Sequence, residues 1–135
     1  MATSWPAAPF GLPASTSPSR RPRQLHPIVR DEIHKVAAEA LRNAYRHAEA
    51  RHIDVTLHYG RDELRMRVRD DGKGIDPAVL ASHGSQGHYG LRGLTERAAL
   101  AGGELAIRSE VGVGTEVELR VPARAAYAPS ARRRG

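Results

Sequence analysis

The chain has no cysteine among its 135 residues. That excludes disulfides and thiolate metal sites and fits a reducing compartment. No apolar run approaches the ~20 residues needed to cross a bilayer. The first residues, Met1-Ala-Thr-Ser-Trp-Pro6, lack the basic and apolar regions of a secretory signal. The chain is therefore read as soluble and cytoplasmic, with no membrane segment. Its single tryptophan, Trp5, lies in a proline-rich stretch. Positive charge is also missing where a nucleic-acid domain would need it. The net charge is +6, yet residues 31–123 hold 13 Lys/Arg against 15 Asp/Glu, and the other 8 basic residues are arginines outside that range. A nucleic-acid-binding domain carries its basic stripe on the folded surface. Specific nucleic-acid recognition is not expected, and the basic ends suit only non-specific contact with anions.

The composition divides the chain into one domain and two tails. Residues 1–27 hold Pro6, Pro9, Pro13, Pro18, Pro22 and Pro27 among Ala, Ser and Arg. Such a segment buries too little apolar surface to offset its ordering entropy, and disorder is expected. Residues 124–135, ending in Arg132-Arg133-Arg134, read the same way. Residues 28–123 remain as the folded unit, large enough for one small core.

Within that unit the apolar period changes three times. Ile33, Val36, Ala37, Ala40, Leu41, Ala44 and Ala48 recur at helical spacing from Asp31 to about Ala50, with Asp31 and Glu32 near the start, where the helix dipole favours acids. Glu39, Asn43 and Arg46 or His47 form a polar stripe beside that face. Next, Ile53, Val55, Leu57 and Tyr59 alternate with polar residues, and Leu64, Met66 and Val68 alternate with Glu63, Arg65, Arg67 and Arg69. This is a hairpin with one buried and one wet face. Asp76-Pro77 opens a short helix, and residues 82–89 are a loop. A second helix runs on to Leu100, stopped by Gly102-Gly103. A last hairpin pairs 104–109 with 115–121. The order predicts a two-layer α/β sandwich, a four-stranded, largely antiparallel or mixed sheet with helices on one face. The other face, with Arg65, Arg67, Arg69, Glu116, Glu118 and Arg120, is expected to be wet.

Four stretches carry chemistry. Asp70 ends a strand and enters Asp70-Asp-Gly-Lys-Gly-Ile75. A carboxylate there can accept a hydrogen bond from an exocyclic amine such as adenine's, while Gly72 and Gly74 let the backbone turn and approach a planar ligand. Alone, this is also a plain Asp-Gly turn. Asn43 offers a neutral oxygen to Mg²⁺, and Glu39, one turn earlier, can orient a nucleophile or a metal-bound water. Arg46 or His47 can meet phosphate oxygens. Alone, these residues are a solvated helix face. Gly87-His-Tyr89-Gly90-Leu91 sets glycines at the start of a helix, where free N–H groups face an anion. No Gly-Lys-Ser/Thr comes next, so it is not a P-loop. Gly112-Val-Gly-Thr115 is a tight hairpin whose hydroxyl serves a base only if the fold brings it beside Asp70. The seven histidines give no compact metal set, with His83 and His88 the weak exception.

Taken in order, these residues resemble the ATP-binding module (GHKL-type, the Bergerat fold) shared by sensor histidine kinases, type II topoisomerases, mismatch-repair proteins and a heat-shock chaperone. The likeness is greatest to the nitrate-sensor-like branch of the histidine kinases and covers roughly Pro27 to Ala123. Glu39–Ala48 resembles that branch's N box and Val68–Asp76 its G1 box. His88–Ala98 resembles its G2 region, and Ser109–Val117 its closing Gly-x-Gly-Thr-x-Val. The resemblance implies that Asp70 binds the adenine amino group and that Asn43 holds Mg²⁺. It makes Glu39 the polar catalytic residue and puts Arg46 and His47 near the phosphates. Gly72, Gly74 and Ile75 would shape the base pocket. Gly87, Tyr89, Gly90 and Leu91 belong to the phosphate end, Thr115 assists at the base through water, and residues 77–89 are the ATP lid.

One departure stands out. The family places a phospho-accepting histidine in a helical Arg/Leu-His-Asp/Glu setting upstream of the module. Here Leu25-His26-Pro27 lacks the acid, and His34 lies on the module's own first helix. The resemblance thus implies a transferase of two-component signal transduction. It would bind Mg-ATP and serve a protein partner carrying the phospho-accepting histidine, or a response regulator. The chain reads as a fragment, a degenerate product, or a protein acting in trans. A standalone anti-sigma-factor-type serine kinase and a nucleotide-binding module without kinase activity are the rival readings.

Overall fold

The computed structural model describes residues 21–78 and 91–129, without the side chains of His47, Ala48 and Leu91. Helix α1 spans Pro27–Asn43. It starts earlier than the acids Asp31 and Glu32 suggest, because Pro27 has the fixed φ that suits a first helical turn and His26 caps it. Glu32 is instead buried, and its carboxylate meets Arg97 at 3.1 Å. After Asn43 the helix widens into a π-helical turn over Ala44–Ala48, closed by Glu49 in the left-handed region. The expected helix to about Ala50 is therefore two kinds of helix joined at Asn43. Such widenings often fall at functional sites.

The strands are β1 (Ile53–Tyr59), β2 (Glu63–Asp70), β3 (Glu104–Glu110) and β4 (Gly114–Pro122). They form one sheet in the order β1-β2-β4-β3, antiparallel at every pairing. Helix α2 (Leu91–Leu100) and α1 cover one face. Between them and the sheet lie Val36, Ala40, Leu64, Met66, Val68, Leu94, Ala98, Val117, Leu119 and Val121. Asp76 caps the turn at Pro77 as expected, its Oδ1 accepting from the N–H of Ala78 at 2.8 Å. Residues 79–90, the rest of the expected short helix and loop, lie outside the described residues.

The outer face of the sheet is wet only in part: Arg120 is exposed and Arg65, Arg67 and Arg69 are half-buried, but the two glutamates are not in water. Glu116 and Glu118 are 2% and 5% exposed. They sit beneath Arg65, Arg67, Arg69 and Arg108, each within 4 Å of one or both carboxylates. The register creates this lattice, since Arg67 stands opposite Glu118, and Arg69 and Arg108 both stand opposite Glu116. Opposite charges on facing strands attract, and the aliphatic stems of the arginines cover the glutamates.

The ordered domain also runs past both expected limits, 28 and 123. A short helix α3 (Ala123–Ala126) leads to a buried Tyr127, which bridges to Leu25. Main-chain bonds join His26 N to Ala126 O and Ala128 N to Gln24 O. The Tyr127 hydroxyl donates to Gly60 O at 2.6 Å, and Arg23 lies over its ring. A buried aromatic with a bonded hydroxyl outweighs the composition of its neighbours.

Candidate nucleotide site

The end of the sheet far from Tyr127 holds the chemistry. Asp70 ends β2 and pairs with Thr115 at the start of β4. Both are buried. They line a narrow cleft with Ala40, Asn43, Ala44, Val68, Gly74, Ile75, Ile107 and Val117, whose cavity volume is about 20 Å³. Asn43 marks the point where α1 widens, and Ala44 closes the wall beside it.

The floor is shaped by close backbone approach. Gly74 has φ +82°, and a Cβ there would collide with the carbonyl of Glu110; at Gly114 it would strike the carbonyl of Asp70. Both positions therefore require glycine. Gly72, unlike Gly74, does not adopt a positive φ. It is buried, and its N–H donates to Asp70 Oδ1 at 2.9 Å. The loop is further tied to the β3–β4 turn, Gly112 N donating to Lys73 O at 2.8 Å and Ile75 N to Ser109 Oγ at 2.7 Å.

Burial pushes the Asp70 carboxyl above its ordinary value; the N–H groups of Gly72 and Thr115 pull it down, and the neighbouring Asp71 adds to the rise. Asp71 behaves oppositely. Burial pushes it up, but the N–H and ring of His52 and the N–H of Arg51 outweigh that and hold it low. Its carboxylate caps the chain before β1, accepting from Arg51 N at 2.8 Å and His52 N at 2.9 Å, with His52 Nδ1 at 3.0 Å. Two adjacent aspartates thus have separate tasks. Asp70 faces the cleft, and Asp71 fastens the loop.

The structure gathers Asn43, Asp70, Gly74, Ile75 and Thr115 at one cleft, with Gly72 bonded beneath it. Glu39 lies elsewhere. Its Oε1 accepts from Arg42 at 2.6 Å, and it lines a second groove between α1 and α2 with Lys35, Arg42, Gly93 and Arg97. Arg46 is exposed on the π-helical turn. Leu91 opens α2. Gly87, Tyr89, Gly90, His83 and His88 lie outside the described residues, as does the side chain of His47. Ser109, which touches both Ile75 and Thr115, carried no signal in the sequence. A single serine in a strand reveals its partner only through register.

Chemically, an acceptor at the bottom of an apolar cleft suits the amino edge of a flat heterocycle, with Val68, Ile75, Ile107 and Val117 against its faces. Among the described residues no three His, Cys, Asp or Glu side chains cluster to hold a metal. The single amide oxygen of Asn43 fits a magnesium ion that arrives on nucleotide phosphates and keeps most of its waters.

This is the geometry that a family match explains. The family described as histidine kinase-, DNA gyrase B-, and HSP90-like ATPase matches residues 28–125. The chain belongs to this ATPase family. It is homologous to sensor histidine kinases. It is 38% identical to sensor histidine kinase LiaS of Bacillus subtilis over 95 residues, 70% of this chain and 25% of that protein. To the histidine-protein kinase/phosphatase DegS of Bacillus subtilis it is 32% identical over 100 residues, 74% of this chain and 26% of that one. The chain thus spans about a quarter of the length of these relatives. Among solved structures, it resembles the histidine kinase domain of the Erythrobacter litoralis blue-light activated histidine kinase. That match has TM-score 0.60 and 26% identity over 70% of this chain and 48% of the other. The ATP binding domain of PrrB from Mycobacterium tuberculosis shares the fold at TM-score 0.57 and 20% identity, covering 74% of this chain and 69% of that one. No described helix is long and apolar enough to cross a membrane.

Proposed function

We propose that this chain is the ATP-binding catalytic domain of a cytoplasmic two-component sensor histidine kinase. It would pass the γ-phosphoryl of Mg-ATP to a histidine on another chain or segment, with a response regulator downstream. The observation that carries this reading is the buried Asp70 carboxylate at the floor of an apolar cleft, with Asn43 at its rim.

Each residue then has a task. Asp70 accepts from the adenine amino group, Thr115 adds a second contact, and Gly72, Gly74 and Ile75 give the pocket its shape. Asn43 holds Mg²⁺ against the phosphates. Arg46 and His47 neutralise phosphate charge, and Gly87, Tyr89, Gly90 and Leu91 supply the phosphate end. Bound Mg-ATP brings the transferable phosphoryl group, and the protein acts by positioning and charge neutralisation. Glu39 orients the accepting nucleophile once its pair with Arg42 opens. The homology to sensor histidine kinases favours histidine over serine as the acceptor.

The test is the melting temperature with Mg-ATP and Mg-GTP, for the wild type and Asp70→Asn. A site filled at ~100 times its Kd stabilises the fold by about 2.7 kcal/mol, several degrees for a domain of this size. A shift with ATP alone, lost in Asp70→Asn, supports the site. No shift at millimolar ATP overturns it. Labelled ATP with candidate partners then decides the chemistry, acid-labile label meaning phosphohistidine and acid-stable label phosphoserine.

A further inference from the structure

The hydroxyls of Ser109 and Thr115 stand opposite each other on β3 and β4 with their oxygens 2.8 Å apart. Ser109 Oγ has two other partners. The N–H of Ile75 donates to it at 2.7 Å, and the carbonyl of Gly114 lies 3.1 Å away in position to accept from it. A serine hydroxyl has one proton and two lone pairs. Ile75 N–H fills one lone pair. A carbonyl can only accept, so the bond to Gly114 takes the one proton. The remaining contact is then made in a single direction, with Thr115 donating into the second lone pair of Ser109. This arrangement makes all three bonds, whereas reversing the Ser109–Thr115 bond would cost the one to Gly114.

Once Thr115 has spent its proton on Ser109, its oxygen has only lone pairs left for the cleft. Asp70 beside it is an acceptor as a carboxylate. The floor of the cleft therefore shows acceptors and no hydroxyl donor. We infer that Ser109 is a positioning residue that fixes Thr115 as an acceptor, and so makes the site select a purine bearing an amino group over one bearing a carbonyl at that edge. This rests on the proposal that Asp70 and Thr115 meet the base. The purine amino group can donate to Asp70, and to Thr115 directly or through a water that accepts from it and donates onward. A carbonyl in that place meets lone pairs and leaves buried groups unpaired, because the proton that such a purine carries on N1 lies one atom further round the ring. Without Ser109, the Thr115 hydroxyl is free to rotate and donate, and it tolerates the carbonyl.

The experiment compares the Kd of Mg-ATP with that of Mg-inosine triphosphate, whose base replaces the amino group by a carbonyl. It uses titration calorimetry on wild type, Ser109→Ala, Ser109→Thr and Thr115→Val. Ser109→Ala is expected to narrow the preference for ATP by about tenfold, and Ser109→Thr, which keeps the hydroxyl, to retain it. Equal weakening of both nucleotides in Ser109→Ala would reduce Ser109 to a structural part and overturn the inference. If Ser109→Ala does not fold, Thr115→Val decides. It must narrow the same ratio, and an unchanged ratio overturns the inference. A wild type that binds ATP but does not prefer it overturns the inference and leaves nucleotide binding standing. A wild type that binds neither nucleotide overturns the base-pocket reading itself.

Discussion

Along the middle of β4 the two faces of the sheet are both buried, by opposite means. Along β4, Val117, Leu119 and Val121 point toward the helices, while Glu116 and Glu118 point away, and all five are buried. On the helix side, apolar area leaves water without regard to direction. On the outer side, two carboxylates are held only because four arginines of β2 and β3 converge on them. The first solution tolerates any apolar side chain of suitable volume. The second depends on each partner being present, since removing one leaves charge without its counterpart. Alternation in sequence tells which way a side chain points, not what will lie over it.

Mutations on neighbouring β4 positions test that contrast. Leu119→Ala opens a cavity beside Met66 and Leu105, its neighbours across the sheet, and is expected to cost about 3–4 kcal/mol by denaturant midpoint. Glu116→Gln keeps the shape but removes the carboxylate shared by Arg67, Arg69 and Arg108. About 2 kcal/mol is expected, less than for a fully buried pair because the arginines keep some access to water. A loss below about 0.5 kcal/mol would make the lattice an ordinary set of surface pairs and erase the contrast.

The loop that fastens β1 sharpens the comparison from outside both faces. The carboxyl of Asp71 is held below its ordinary value of 3.8 in the fold. A depressed carboxylate adds stability above the unfolded value, and that stability is lost as pH falls through the folded one. The stability difference between wild type and Asp71→Ala should hold steady above 3.8 and close below it. A difference independent of pH would show that the loop is held by something other than this charge. Asp70 runs the other way. Its raised value means that ionisation costs the fold stability as pH rises through it. Asp70→Asn should therefore keep or slightly improve the unliganded fold while losing the nucleotide. The smallest effect is expected at Val55, which is on the helix side yet 46% exposed. Val55→Ser should change stability by no more than about 0.5 kcal/mol, and a larger loss would mean that the covered face reaches the sheet's edge.

Much of the fold was legible because its signals are local. The change of apolar period located the four strands and the two long helices, and the four motifs named Asp70, Asn43, Gly74, Ile75 and Thr115, which do meet at one cleft. What escaped depends on register or on distant partners. Ser109 matters only because β3 sets it opposite Thr115. Glu39 shares a helix face with Asn43 in projection, but Arg42 draws it to the other groove. Tyr127 joins the core from a segment whose composition predicts a tail, because a single aromatic filling a gap beside Gly60 counts for more than its polar neighbours. Pro27 starts α1 although the acids a turn later advertise a start of their own.

The bonds between Gln24 and Ala128 and between His26 and Ala126 have a mechanical consequence. They place the two flanks of the domain side by side at the Glu63–Pro122 end of the sheet. The cleft at Asp70–Thr115 is the length of β2 away, about 23 Å for seven residue steps. A pull that separates the flanks loads these bonds one after another, like a zipper, rather than shearing the strands together. Tension from neighbouring protein would thus be spent opening the clasp before any reaches the floor on which Asp70 rests.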